Sequence, residues 1–251
     1  MLELPESEYR QAAGWNYSLI KEFMKSPRHY QWAREHPSEP TPSMQIGTAV
    51  HMAILEPEKF KASYVVAPVG LDGRTAEAKA LKKEAQEQGK TLIDSTVVDI
   101  ATGVLMNPEA TKLLENKTTV TERAIFWDNC KCKLDLWCEE LGVLADLKTT
   151  DSVVPQDFAA TVGRLRYYIQ AAHYINGVRS CGKKINSYRI IAVENKPPYD
   201  CVVYELDEEA IKQGFAVLMD VYDSLAFCEA TDMWGGVSSN LERLELPKWV
   251  K

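Results

Sequence analysis

The sequence predicts an α/β (α+β) fold with a central mixed β-sheet flanked by helices. Helix-favouring segments fill much of the chain up to about residue 117, and residues 118–150 then form three β-rich runs joined by tight polar turns. The order after residue 150 is helix, two strands and helix, a pattern that builds a sheet covered by helices. We expect a single domain over 1–251, with a helical N-terminal part to about 117, a sheet region over about 118–230 and a tail over 231–251.

The helices of the N-terminal part are predicted from apolar residues at helical spacing and from end signals such as Pro57 and Gly89. They cover 17–35 with an interruption at Pro27, then 44–57, 75–90, 94–106 and 108–115. Residues 37–43 read as a loop, and a short strand is expected at 63–68.

The β-rich runs at 118–127, 130–140 and 142–150 predict an antiparallel meander, because only short polar turns separate them. A helix is expected over about 155–177, ending at Gly177. Two further strands at 185–195 and 201–207 and a long helix at about 207–229 complete the prediction.

Composition restricts the functional classes. The net charge of −7 gives no bulk signal for nucleic acid, so any DNA contact must come from a local basic surface. No apolar run approaches the roughly 20 residues that span a bilayer, and the first residues do not resemble a signal peptide. We therefore expect a cytoplasmic protein with no membrane partner.

Six scattered cysteines indicate reduced thiols. Cys130, Cys132 and Cys138 are close enough to consider zinc or an iron–sulfur cluster. Their C-x-C-x5-C spacing has neither a C-x2-C pair nor a second pair, so ordinary strand cysteines are the better interpretation.

The stretch "GVLADLKTT" places Asp146 and Lys148 in an apolar run with strand character. Residues two apart on a strand share a face, and buried charges are costly unless they are paired or hold a metal. A hairpin can bring Asp135 of "KLDLW" beside Asp146, in a D-x10-D-x-K arrangement. Two carboxylates at one point favour a hard divalent ion such as Mg²⁺ or Mn²⁺, beside which Lys148 can neutralise charge on a phosphate. For D-x-K alone, a surface hairpin with a weak salt bridge remains the alternative.

The D-x10-D-x-K arrangement resembles that of the PD-(D/E)XK nuclease superfamily, and most closely its RecB-like branch and the exonuclease VIII (RecE-type) phage and prophage exonucleases. Three other segments share the resemblance: "GTAVH" at 47–51, "QAAHY" at 170–174 and "NYSLIKEFMKSPRHYQW" at 16–32. The resemblance covers roughly residues 15–210 and implies a restriction-endonuclease-like core with helical N-terminal additions.

The resemblance also implies roles for individual residues. His51, Asp135, Asp146 and the Leu147 carbonyl would hold the metal, with Lys148 as the catalytic lysine. Gln170 and Tyr174 would complete the catalytic set, and Glu122 would lie just outside the metal ligands. Each isolated motif also fits a structural role, such as a packed helix histidine for His51 or a core tyrosine for Tyr174.

Candidate DNA contacts come from arginines. The resemblance offers Arg28 of "SPRHY" as a phosphate contact, and Arg164 and Arg166 lie on the segment leading into Gln170. Arg74 begins a basic stretch with Lys79, Lys82 and Lys83, for which a solvated helix face is the alternative.

The function implied by the resemblance is a Mg²⁺-dependent exonuclease that digests double-stranded DNA ends in the 5′→3′ direction and leaves 3′ single-stranded tails for recombination. It further implies a homo-oligomeric ring (trimer or tetramer), a single-strand annealing partner and a bacterial or phage-infected cell. A structure-specific or repair endonuclease, a catalytically silent DNA-binding protein and a metalloprotein that uses the cysteines are the alternatives.

Overall fold

A six-stranded mixed sheet forms the centre of the protein in a computed structural model that describes residues 1–246. The strands of the described chain are β1 (Leu2–Glu3), β2 (Tyr64–Val66), β3 (Thr91–Ile93), β4 (Thr119–Trp127), β5 (Cys130–Cys138), β6 (Val143–Thr150), β7 (Ser187–Glu194) and β8 (Cys201–Glu205). The central sheet has the order β1-β4-β5-β6-β7-β8. Its β6–β7 pair is parallel and its other pairs are antiparallel, so the predicted mixed sheet is confirmed.

Helices flank this sheet. Within residues 1–246 they are α1 (Glu6–Gln11), α2 (Tyr17–Phe23), α3 (Pro27–Glu35), α4 (Pro42–Leu55), α5 (Pro57–Ser63), α6 (Ala76–Glu87), α7 (Thr96–Leu105), α8 (Pro108–Leu114), α9 (Pro155–Leu165), α10 (Tyr167–Ser180) and α11 (Glu208–Thr231). At several helix starts a side chain accepts a hydrogen bond from a backbone N–H group that has no partner within the helix, as Asn16 does from Leu19 and Asp207 from Ala210. None of these helices is both long enough and apolar enough to cross a membrane.

Hydrophobic clusters cover both faces of the sheet. One cluster joins Leu144 of β6 to Ile169 of α10 and Leu218 of α11. The other joins the next strand residue, Ala145, to Val50 of α4 and to residues of α7 and α8. Because successive strand residues point to opposite faces, β6 is buried on both sides, which explains its nearly continuous apolar character.

The structure corrects the prediction of one helix over 155–177. The segment forms two helices, because Arg166 between them adopts a left-handed backbone conformation with φ 59°. The Tyr17 hydroxyl donates a hydrogen bond to the Arg166 carbonyl over 2.6 Å and so satisfies a group that the break exposes. Gly177 also does not end a helix, since α10 continues to Ser180. A Cβ there would lie 2.8 Å from the Trp127 ring, so close packing explains this glycine.

Several short elements were not predicted from the sequence. They are β1 and α1 at the N-terminus, α5, and β3, which pairs in parallel with β2 in a separate two-stranded sheet. The C-terminal tail forms neither helix nor strand from 232 to 246, and the rest of the predicted tail lies outside the described residues.

Candidate active site

Asp135 and Asp146 lie where the ladder between β5 and β6 stops. The last paired residues of this ladder are Leu136 and Ala145, and the two aspartates are the next residue on each strand. Instead of a ladder bond, the Leu147 backbone N–H donates to Asp135 Oδ2 over 2.8 Å. The opening between the strands therefore brings two carboxylates together, as the D-x10-D spacing predicted.

The alternation of side chains along β5 breaks at the same place. Leu134 belongs to one hydrophobic cluster, Leu136 to the other and Trp137 again to the first. Irregularities of this kind re-aim side chains beside active sites. Here helices on both faces of the sheet reach the carboxylates, with α4 supplying His51 and α10 supplying Gln170.

Asp146 is 2% exposed and has two polar neighbours. Gln170 Nε2 donates to its Oδ1 over 2.9 Å, and Lys148 Nζ lies 2.5 Å from its Oδ2. The position of Lys148 does not give Oδ2 a well-directed hydrogen bond, and no other described residue supplies one. A buried carboxylate oxygen that lacks a well-directed hydrogen-bond donor can still bind a cation.

Lys148 shares its face of β6 with Asp146, as the two-residue spacing predicted. Its Nζ also lies 5.0 Å from the centre of the Tyr167 ring. Burial acts to lower the pKa of Lys148, but the carboxylates of Asp146 and Asp135 outweigh it and the pKa is raised. The side chain is therefore an ammonium group at neutral pH.

His51 approaches Asp135 from α4, with 3.5 Å between Nδ1 and Asp135 Oδ2. Burial and, next, the Lys148 charge lower the pKa of His51, which favours the neutral imidazole that a metal requires. Burial and, next, the Asp146 carboxylate raise the pKa of Asp135, because two negative charges at one buried point repel each other.

Glu122 is the third carboxylate of this region. Ligand atoms of His51, Glu122 and Asp135 all lie within 4.8 Å of one another. Glu122 adopts φ 53° inside β4, and the ladder to β5 skips it although Thr121 and Arg123 on either side are paired. The structure thus brings Glu122 to the ligand atoms themselves, nearer the centre than the outer position predicted for it.

The donor set fits a hard divalent ion. It combines the His51 imidazole, carboxyl groups whose pKa is raised or whose oxygen lacks a hydrogen bond, and the backbone of Leu147, which lies against Asp135. Oxygen-rich sets of this kind suit Mg²⁺ or Mn²⁺. The described residues do not place cysteines in such a group, and Cys130, Cys132 and Cys138 are buried strand residues with free thiols.

Gln170 and Tyr174 lie one turn apart on α10. Gln170 touches the site directly through Asp146. Tyr174 is partly buried against the first hydrophobic cluster. Burial and, after it, the Asp146 and Asp135 charges raise its pKa.

His173 of the same motif points elsewhere. It is fully buried, and its two ring nitrogens lie within hydrogen-bonding distance of the Tyr222 hydroxyl and the Lys131 carbonyl. This histidine is structural, which agrees with leaving it out of the site.

The candidate arginines are spread over the surface. Arg28, at the start of α3, is exposed beside the C-terminal tail, and its backbone N–H donates to the Gly235 carbonyl over 3.0 Å. Arg74 binds Asp72 through two guanidinium hydrogen bonds of 3.1 and 2.9 Å. Arg164 and Arg166 are exposed at the junction of α9 and α10. The structure does not gather these four side chains at the carboxylates.

Two residues near the site were missed in the sequence. Lys133 binds Glu122 with 2.6 Å between Nζ and Oε2, and Tyr167 lies beneath Lys148. Both follow from spacing: Lys133 precedes Asp135 by two residues, and Tyr167 precedes Gln170 by one helical turn.

A family model described as a PDDEXK-like domain of unknown function (DUF3799) matches residues 16–246. The chain belongs to this PDDEXK-like family. The match spans the four segments on which the resemblance to PD-(D/E)XK nucleases was based, so membership of that superfamily is confirmed.

A solved structure shares the fold of this PDDEXK-like protein. A proposed exonuclease from Eubacterium rectale superposes with a TM-score of 0.66 at 14% identity, over 93% of this chain and 89% of the other. A phage-related exonuclease from Haemophilus somnus 129PT gives a TM-score of 0.33 at 11% identity, over 83% of this chain and 94% of the other. No curated protein sequence matches the chain at a significant level.

Proposed function

We propose that this PDDEXK-like protein is a Mg²⁺-dependent exonuclease that hydrolyses double-stranded DNA from its ends. The family supports the broader statement, a nuclease. The observation that carries the proposal is the convergence of Asp135, Asp146 and Lys148 at the opening in the sheet, with His51 and Gln170 reaching them from opposite faces.

The metal would be held by His51, Asp135, Asp146 and the Leu147 carbonyl, with Mg²⁺ the proposed ion and Mn²⁺ a substitute. Two observations support this assignment: Asp146 Oδ2 lacks a well-directed hydrogen bond, and burial and the Asp146 carboxylate raise the pKa of Asp135, which an ion between the two carboxylates would lower again. When bound, such an ion supplies positive charge at a phosphate and lowers the pKa of water.

The reaction is hydrolysis of a phosphodiester. Water adds to phosphorus, the bond from phosphorus to the departing sugar oxygen breaks, and that oxygen takes up a proton. Lys148 would stabilise the negative charge that develops on the phosphate oxygens, since it is an ammonium group at neutral pH. Gln170 would hold Asp146 in place through its 2.9 Å hydrogen bond.

Exposed arginines are the proposed DNA contacts. Arg164 and Arg166 are exposed at the start of the helix that carries Gln170 and Tyr174, so a strand entering the site from that end would meet them. Arg28 is exposed on α3 and remains a candidate for a phosphate at a DNA end. Arg74 is the weakest candidate, because Asp72 already neutralises its guanidinium.

The finer description rests on the resemblance to exonuclease VIII-type enzymes. It comprises 5′→3′ direction, 3′ single-stranded tails for recombination, a trimeric or tetrameric ring, an annealing partner and a cytoplasmic location in a bacterial or phage-infected cell.

Cleavage of three DNA substrates by the purified protein with Mg²⁺ tests the proposal. The substrates are linear duplex labelled at the 5′ end, the same duplex labelled at the 3′ end, and a covalently closed circle. EDTA and Asp146→Asn are the controls for metal and site. We expect early release of labelled mononucleotide from the 5′-labelled duplex and an intact circle.

The other outcomes separate the alternatives. Nicking of the circle would indicate an endonuclease on the same fold. Early release of the 3′ label would reverse the proposed direction and leave the metal site unchanged. Binding of DNA without cleavage under Mg²⁺ and Mn²⁺ would indicate a silent DNA-binding protein.

A further inference from the structure

A second lysine, Lys133, lies beside the carboxylates, against Glu122. Lys133 precedes Asp135 by two residues in β5, as Lys148 follows Asp146 by two residues in β6. Its side chain is 16% exposed, and its charge acts on Asp135 as well as on its direct partners. The catalytic arrangement described above gives this lysine no role.

Lys133 binds two carboxylates that belong to different parts of the protein. Its Nζ lies 2.6 Å from Glu122 Oε2 and 3.0 Å from Glu6 Oε2. Glu122 belongs to the group of potential metal ligands, whereas Glu6 lies on the N-terminal helix α1 and is half exposed. A single ammonium group therefore connects the metal centre to α1.

The backbone of Glu122 is in an unfavourable conformation that aims its carboxylate at this point. A left-handed conformation is uncommon and unfavourable for a residue with a side chain, so it persists where the surroundings enforce it. The result is a carboxylate placed between two positions for a cation. One is filled by Lys133, and the other is formed with His51 and Asp135.

Contacts with the sheet hold the N-terminal helix α1 in place, so Glu6 has a fixed position as an acceptor for Lys133. Lys131 is 3% exposed and donates from Nζ to the carbonyls of Tyr9 and Arg10 over 2.9 and 3.2 Å, at the end of α1. Ahead of α1, Glu3 binds Arg123 over 2.6 Å. Glu6 can hold Lys133 when Glu122 does not.

We propose that Lys133 is a positioning residue of the metal centre, which holds Glu122 until a divalent ion takes that carboxylate and then remains bound to Glu6. This inference rests on the proposed metal site and adds Glu122 to its ligands, because ligand atoms of Glu122, His51 and Asp135 lie within 4.8 Å of one another. An ammonium group and a divalent ion on one carboxylate repel each other, so Lys133 and the ion compete for Glu122. Glu6 stabilises the state in which the lysine has released Glu122.

Calorimetric titration of the full chain with Mn²⁺, without DNA, measures this competition directly. Lys133→Met keeps the length of the side chain but removes its charge, and we expect it to tighten Mn²⁺ binding by about fivefold or more. Glu6→Gln is expected to weaken binding, since Lys133 then has only Glu122. In a protein that already carries Lys133→Met, adding Glu6→Gln should not change the Mn²⁺ affinity further.

The control is Lys183→Met, which removes an equal charge from a half-exposed lysine paired with Glu139 over 2.5 Å. Circular dichroism verifies that each variant folds, and Glu6→Gln changes only an exposed side chain. The inference is overturned if Lys133→Met leaves Mn²⁺ affinity at the wild-type value or weakens it. It is also overturned if Glu6→Gln has the same effect with and without Lys133.

The titration also separates this inference from the proposed function. If wild-type protein binds Mn²⁺ and cleaves DNA but the variants keep the wild-type Mn²⁺ affinity, the role of Lys133 is rejected and the proposed function stands. Wild-type protein that binds no Mn²⁺ rejects the metal centre and, with it, the role of Lys133.

Discussion

Gln170 of α10 donates a hydrogen bond to Asp146 of β6 over 2.9 Å, and both side chains are more than nine-tenths buried. The bond joins a helix to the centre of the sheet at the aspartate that interrupts the apolar run of β6. Since Lys148 lies against the other oxygen of Asp146, the amide fixes which way the carboxylate turns. A single helix residue therefore orients the central acid of the site.

Replacing Gln170 by Leu should lower both stability and cleavage. The change leaves Asp146 Oδ1 buried without its donor, which costs about 1–3 kcal/mol. Urea unfolding at neutral pH measures the loss. The matched control is Gln213→Leu, where an exposed glutamine on α11 bonds Glu209, and we expect a change within about 0.5 kcal/mol there. Equal losses in the two variants would contradict the burial argument.

Replacing Lys148 by Met should remove cleavage while the protein still folds and binds metal. Removing one positive group aimed at developing charge typically costs about 10²–10³ in rate. Single-turnover cleavage with Mg²⁺ measures the rate, and Mn²⁺ titration of the same variant measures binding. Lys183→Met, at a half-exposed lysine outside the site, is the control. A Lys148→Met protein with wild-type rate would exclude this lysine from the chemistry.

The sequence was informative where chemistry depends on short spacings. D-x-K placed Asp146 and Lys148 on one face of a strand, and D-x10-D placed the two aspartates at facing ends of a hairpin. The apolar run of β6 followed from burial on both faces of the sheet. These features depend on the two-residue period of a strand, which can be read directly from the chain.

The sequence could not reveal features that depend on distant contacts. The left-handed residues Arg166 and Glu122 carry ordinary side chains that give no local signal of a break. Arg166 is stabilised by Tyr17, about 150 residues earlier in the chain. The ion pair of Lys133 with Glu6 likewise needs the N-terminal helix to dock on β5, which no periodicity predicts.

His173 should make stability fall on acidification. Burial lowers its pKa to about 4, whereas an unfolded histidine titrates near 6.5. Between these values the unfolded chain binds the extra proton, so stability is fully present above pH 6.5 and is lost as the pH falls towards 4. The loss approaches about 3 kcal/mol over this window. Urea unfolding in EDTA at several pH values measures it.

The variant His173→Gln isolates this contribution. It should be less stable than wild type at pH 7, because it disturbs the contacts with Tyr222 and the Lys131 carbonyl. Between pH 4 and 6.5, its free energy of unfolding should change less steeply with pH, by an amount that corresponds to the uptake of up to one proton. His36→Gln, at an exposed histidine, controls for the loss of an imidazole. An unchanged slope in His173→Gln would assign the acid sensitivity to other groups.

Divalent ions should stabilise the folded protein, and EDTA should reverse the effect. An ion that binds only the folded state, at one hundred times its Kd, adds about 2.7 kcal/mol. Thermal unfolding with and without Mg²⁺ or Mn²⁺ measures the shift. Asp146→Asn should lose most of the shift, because it removes one of the carboxylates proposed to hold the ion. Asp223→Asn, at an exposed aspartate of α11, should keep the full shift, and a shift that survives Asp146→Asn intact would place the ion elsewhere.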